Sequence, residues 1–133
     1  MSDYLFAYGT LQPGLAPPGI AHAVAGLAPI GEGFVQGVLY DLGGHPGAVL
    51  GGAGARRIVG MVYQLPDDPR VIAEMDAYED FLAAEPERSL FLRVLHPVEL
   101  ATGGTLQCWV YVYNRDPGDA PVIESGRFRK CSS

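Results

Sequence analysis

The sequence predicts one small β-rich domain in which one segment has a helical period, and three observations predict it. The 133 residues are 48% hydrophobic, enough for one core without disulfides or metal. Eighteen glycines and eleven prolines are scattered between short apolar runs and form no low-complexity block, which is the punctuation of strands joined by turns. Only one segment has the periodicity of a helix. The whole chain, 1–133, is therefore expected to be a single domain, with a partly mobile end from about residue 117, where the pattern dissolves towards "RFRKCSS".

Residues 3–8, "DYLFAY", form the first strand-like run. The runs "FVQGVLYDL" (34–42) and "IVGMVYQL" (58–65) share an order of two residues, Gly, two residues, Tyr. Gly37 and Gly60 then mark strands that bend or admit another backbone closely, and the two runs are expected to pair. Between them, "GGHPGAVLGGAGARR" is rich in loop residues around a short apolar centre, Ala48 to Leu50. The runs "LFLRVLHPVEL" (90–100) and "LQCWVYVYN" (106–114) are joined through "ATGGT", a hairpin connection. Trp109, Tyr111 and Tyr113 alternate with Cys108, Val110 and Val112, so an aromatic stripe faces one side of the sheet.

The helical segment is "PDDPRVIAEMDAYEDFLA", with Asp68 as N-cap and Pro69 as first helical residue, where its missing N–H does no harm. At about 100° per residue, Val71, Ile72, Met75, Tyr78 and Leu82 share roughly one third of the helical circle, the width of a core-facing stripe. Glu79 falls in that stripe, Glu74 and Asp76 at its borders, and Asp80 outside it. A carboxylate on an apolar face is costly unless it is hydrogen-bonded, paired or protonated. Periodicity leaves two readings open. Glu79 either reaches water or pairs with Arg93 or Arg88 at the stripe edge, or serves as a general acid/base whose pKa is raised by apolar walls.

A second short stretch, "FAYGTLQPG" (6–14), holds more than a turn requires, since a turn needs only the glycine and the Pro13-Gly14 pair. It is either a plain turn or a backbone cradle for an anion or oxyanion. A net charge of −6 with 18% charged residues leaves no basic stripe for nucleic acid. No run approaches the eighteen or so apolar residues of a membrane span, and the start lacks a signal-peptide pattern. The expectation is a cytoplasmic protein with neither nucleic-acid nor membrane partners. Cys108 reads as core and Cys131 as tail, without the spacing of a redox pair or zinc site. His22, His45 and His96 lack ligand spacing, so no metal site is expected. Ser2, Ser89 and Ser125 lack a nucleophile-elbow setting, which leaves a hydrolase triad unsupported.

Taken in order, "FAYGTLQPG", "GHPGAV", "VGMVYQL", "MDAYED", "FLRVLHPVEL" and "CWVYVY" resemble the gamma-glutamylcyclotransferase-like family over roughly residues 3–114. The resemblance implies an α+β fold, a small, mostly antiparallel β-barrel or curved mixed sheet with a few packed helices. It also implies an enzyme of acyltransferase or lyase type that needs no cofactor. Such an enzyme releases 5-oxoproline from a gamma-glutamyl amine or peptide as the substrate's α-amine attacks its own side-chain carbonyl. Carried over by position, Glu79 is the general acid/base, and Tyr8, Gly9, Thr10 and Leu11 form the substrate-binding loop. Tyr113 and Arg93 are further substrate-binding candidates, each with an ordinary alternative as a barrel-lining aromatic and a solvent-facing arginine. The chain departs from the family pattern at Asp80, where Gly commonly follows the glutamate, and at Phe91, where Tyr is common. It also departs in "PGLAPPGIAHAVAGLAP", which lacks the usual polar residues. Glu85, Glu87 and Arg88 form either a connection that closes over the pocket or a solvated loop. A non-catalytic small-molecule binding module and an interaction protein using the acidic surface are the competing classes of function.

Overall fold

The computed structural model describes residues 3–9, 11–12, 16–43, 45–51 and 55–128. In chain order these form β1 (Tyr4–Ala7), α1 (Pro18–Val24), β2 (Ala28–Asp41), β3 (Pro46–Leu50), β4 (Arg56–Gln64), α2 (Pro69–Tyr78), β5 (Phe91–Leu100) and β6 (Thr105–Tyr113). A 3₁₀ turn at Pro86–Arg88 precedes β5.

The long strand β2 organises the sheet. One of its flanks pairs antiparallel with β4 (Val35↔Ile58), so the two glycine-bearing runs are partners as expected. The other flank takes β3 (Leu39↔Ala48) and, further back, the end of β5 (Gly33↔Leu100, Phe34↔Glu99). β4 continues antiparallel to β1, β1 runs parallel to β6, and β6 forms the expected hairpin with β5. The circuit β2-β4-β1-β6-β5 returns to β2, a closed five-stranded mixed barrel to which β3 adds a sixth strand. Gly37 and Gly60 are close-approach positions. A Cβ at Gly37 would run into the Val49 carbonyl oxygen, and one at Gly60 would lie 2.5 Å from that of Ala7.

Strand alternation divides the core in two. Phe6, Val35, Val62, Cys108 and Val110 fill the barrel interior. Leu5, Ala7, Phe91 and Tyr111 face outward and are covered by Ile20, Val24 and Met75 of the two helices, with Trp109 and Tyr113 packed at the margin. The aromatic stripe of β6 is thus the face that lies under the helices.

Three parts of the chain depart from the sequence expectation. α1 starts with Pro18, has no side-chain cap and buries Ile20, Ala23 and Val24; its seven residues are too short to display a period. β2 begins six residues earlier than "FVQGVLYDL", because "APIGEG" accommodates a register shift between Pro29 and Gly31 while staying paired with β4. α2 starts as expected, with the Asp68 carboxylate accepting from the Arg70 N–H at 3.0 Å, but stops at Tyr78. The stripe therefore does not run on to Leu82, and both Tyr78 (42%) and Leu82 (43%) are exposed. The end is a Schellman closure: Phe81 N–H donates to the Asp76 carbonyl (2.8 Å) and Asp80 N–H to that of Ala77 (3.2 Å). Asp80 adopts φ +60°, the left-handed C′ position that favours glycine and that Asp tolerates better than most residues.

The stretch from Pro117, expected as a partly mobile end, is tied to the barrel as far as Phe128. Asp41 N–H donates to the Pro121 carbonyl, Ile123 N–H to Leu39 and Val59 N–H to Gly126. Ile123 and Phe128 pack against the interior cluster. Cys131 lies outside the described residues, and Cys108 is a buried free thiol pushed up to about 11 by burial. Among the described residues no helix is long and apolar enough to cross a membrane.

Candidate active site

A cavity of about 340 Å³ opens where β1 runs into its following loop, beside the end of α2. Leu5 to Gly9 and Leu11 form one wall, His45 and Pro46 the approach to β3, Tyr78 and Glu79 the end of α2, and Leu90, Phe91 and Tyr111 the β5–β6 side. Glu79 and the Tyr8–Leu11 loop therefore share one concave surface. Thr10 lies outside the described residues.

Glu79 is the C-cap of α2. Its inward direction comes from the Schellman turn, which stops the helix there, and not from a stripe continuing to Leu82. Neither arginine weighed as its partner reaches it: Arg93 is held by Asp76 and Arg88 lies against Glu85. Among the described residues its carboxyl has no hydrogen bond or ion pair. Burial against the cavity wall pushes it up to about 7, from an ordinary 4.5. A carboxyl of this pKa is comparably populated in its acid and base forms near neutrality.

The loop opposite is held by its own side chains. The Tyr8 hydroxyl donates to the Tyr111 carbonyl and accepts from the Ala48 N–H at 3.3 Å, joining β1, β6 and β3 at one point. Burial pushes this phenol far up, the Glu79 charge adding to the effect. Gln12 folds back to donate to the Gly9 carbonyl (2.8 Å) and accepts from the Tyr63 hydroxyl (3.3 Å), so its amide braces the loop from behind. Gly9 sits against Pro46, whose Cγ a Cβ there would meet at 2.9 Å. Among the described residues no backbone carbonyl accepts from the N–H of Gly9 or Leu11.

The structure does not bring Arg93 or Tyr113 to this cavity. Arg93 lines a second, smaller hollow of about 230 Å³ with Asp3, Asp68 and Trp109. Tyr113 stands opposite Phe91 in the β5–β6 ladder, meets its ring in a tilted contact at 5.5 Å between centroids and packs against Gly47. Two residues earlier on the same face, Tyr111 reaches the cavity instead. Its hydroxyl donates to Asp76 at 2.7 Å, and burial, then that hydrogen bond, pushes its pKa far up. His45, Tyr78 and Tyr111 are lining residues that the sequence reading missed. The alternation of β6 makes Tyr111 as good a candidate as Tyr113, and "GHPGAV" places His45 beside the conformationally special turn. Among the described residues no group of three or more His, Cys, Asp or Glu is placed to hold a metal ion.

The family model described as gamma-glutamyl cyclotransferase, AIG2-like, matches residues 5–130. This chain belongs to that family. A curated relative, the gamma-L-glutamyl-butirosin B gamma-glutamyl cyclotransferase of Niallia circulans, is 31% identical over 113 residues, covering 84% of this chain and 67% of the relative. Among solved structures, an AIG2-like protein from Mus musculus superimposes with a TM-score of 0.71 at 21% identity, over 92% of this chain and 86% of that one. YkqA from Bacillus subtilis gives 0.70 at 23% identity over 96% of this chain, which spans only 40% of YkqA. These two likenesses establish the fold, the closed barrel with its added strand and helices. Membership of the cyclotransferase family supports cyclotransferase-type activity.

Proposed function

We propose that the protein releases 5-oxoproline from a small gamma-glutamyl amine or peptide, with Glu79 as the general acid/base. The observation that carries this reading is a carboxyl raised to about 7 by burial, sharing one cavity with a loop in which, among the described residues, the N–H groups of Gly9 and Leu11 donate to no backbone carbonyl. The substrate's bent gamma-glutamyl group lies between them. Holding it bent makes the attack intramolecular, the largest advantage open to such a site. Glu79 takes a proton from the α-ammonium, and the freed nitrogen pair forms a C–N bond to the γ-carbonyl carbon. The loop N–H groups of Gly9 and Leu11 stabilise the oxyanion. As the carbonyl re-forms, the original C–N bond breaks with transfer of the Glu79 proton to the leaving nitrogen, and the regenerated carboxylate then takes the second proton from the ring nitrogen, which departs on the amine as an ammonium. Protons and electrons balance, and no step calls for a metal or cofactor.

The phenols of Tyr8 and Tyr111 are engaged with the Tyr111 carbonyl and Asp76 respectively, so they shape the cavity while the backbone supplies its donors. The reading includes a small-molecule partner and a cytoplasmic setting. The test is incubation with a panel of gamma-glutamyl amines, gamma-glutamyl amino acids and glutathione-like peptides, following 5-oxoproline. Turnover by the wild type and a 10²- to 10⁴-fold lower kcat in Glu79→Gln are expected. A Glu79→Gln protein working within about threefold of wild type would remove Glu79 from the proton transfers.

A further inference from the structure

We infer that Asp76 is a positioning residue, which with Arg93 and Tyr111 clamps the last turn of α2 to the β5–β6 hairpin and so holds Glu79 at its distance from the Tyr8–Leu11 loop. The inference rests on the proposed role of Glu79. Asp76 stands three residues before Glu79, in the final turn of the helix. Its carboxylate accepts from Arg93 Nε at 2.8 Å and Nη2 at 3.2 Å, a two-point contact, and from the Tyr111 hydroxyl at 2.7 Å. Both members of the ion pair are largely withdrawn from solvent, with side chains 17% and 18% exposed. The Arg93 guanidinium lies over Trp109 at 4.4 Å from the ring centroid and near Phe81 at 5.5 Å. Planar stacking and a bidentate carboxylate together fix its orientation, which a lysine could not reproduce.

The consequence follows from connectivity. The Asp76 side chain grips β5 through Arg93 and β6 through Tyr111. Its backbone carbonyl receives the Phe81 N–H that closes the turn around Glu79. The carbonyl of Tyr111 receives the Tyr8 hydroxyl, so the same chain of bonds continues to the loop on the far wall. Among the described residues Glu79 has no hydrogen-bond or ion-pair partner, and its placement follows from this frame. An arginine that touched substrate would need a free donor face towards the cavity, whereas Arg93 spends its Nε edge on Asp76 and lies outside the cavity lining.

The test compares Asp76→Asn, Tyr111→Phe and the double variant Asp76→Asn/Arg93→Gln. The double variant leaves no unpaired buried charge and folds even if Asp76→Asn does not. Displacement of a reacting group by the order of 1 Å costs up to about 10²-fold, so a kcat about 10- to 100-fold lower with KM within about threefold is expected in each variant that melts cooperatively. Arg93→Lys should restore little of the loss. A folded double variant with wild-type kcat overturns the inference, as does a loss confined to KM, which would make Arg93 a substrate contact. If the wild type forms no 5-oxoproline from any substrate, the functional reading fails and not this one. The positioning is then read from the Glu79 carboxyl by carbon NMR titration. Loosening the frame admits water, so its midpoint should fall by at least about one unit in the double variant; an unchanged midpoint overturns the inference.

Discussion

Replacing Glu79 by Gln should make the protein more stable at neutral pH and not at acid pH. The carboxyl titrates near 4.5 in the unfolded chain and is pushed up to about 7 by burial in the folded one. Between those values the folded state holds a proton that the unfolded state has released, so unfolding releases a proton and stability falls as the pH rises through this window. Below the unfolded value both states are protonated and the group costs nothing. Above the folded value the full cost of ionising this carboxyl in the fold applies, about 3 kcal/mol for the gap between the two pKa values. Gln keeps the size and hydrogen-bonding capacity of the protonated acid and cannot ionise. The difference in unfolding free energy, Gln variant minus wild type, should be close to zero near about pH 4 and grow to about 3 kcal/mol near about pH 8. Urea unfolding across that range measures it from the midpoints, provided the slopes of the two proteins agree. A difference that stays constant with pH would falsify the raised pKa on which the acid/base role depends. The same substitution should remove the acid limb of the rate profile, since wild-type kcat/KM falls as Glu79 takes up its proton below about 7.

Asp80→Gly should stabilise the fold by about 0.5–1 kcal/mol in the same assay, because it relieves a left-handed backbone at φ +60° while giving up some unfolded-state restriction; a loss of stability would show that the Asp side chain contributes there. Gly126→Ala should cost at least about 2 kcal/mol, since Gly126 has φ +69° and an added Cβ would run into the Arg57 carbonyl oxygen. Limited proteolysis should then cut more readily within 117–128, and an unchanged digestion pattern would contradict the docking of that stretch. In a Cys131→Ser background, Cys108 should react with a thiol reagent only on unfolding, as it is fully buried and pushed up to about 11; fast labelling of the native protein would count against its place in the barrel interior.

Much of this architecture is written in short-range patterns. Asp68-Pro69 starts α2 because a capping carboxylate and a proline at the first helical position act within one turn. The strands of β4, β5 and β6 show in their β-branched and aromatic alternation, and the "ATGGT" hairpin follows from its glycines. The pairing of β2 with β4 matches the pattern their two runs share, whereas the close approaches that Gly37 and Gly60 mark are to Val49 of β3 and Ala7 of β1. The inward position of Glu79 was foreseen, but by a periodicity that continues past the real end of the helix. Its actual cause is the turn at Asp80, where backbone hydrogen bonds outweigh the cost of a left-handed aspartate.

What the sequence by itself determined is most of the strands, the start of α2 and the two segments, Tyr8–Leu11 and the end of α2, that carry the unusual residues. Closure of the barrel through Gly33↔Leu100 and Phe34↔Glu99 was decided only in three dimensions, as were the capture of Arg93 by Asp76 and the choice of Tyr111 over Tyr113. Each of these joins residues far apart in the chain, and no local propensity encodes which of several equally suitable partners will meet. The winner is set by the register of strands that must all be satisfied together, and by the exclusion of water that makes one arginine's pairing with one carboxylate worth more than any solvated alternative.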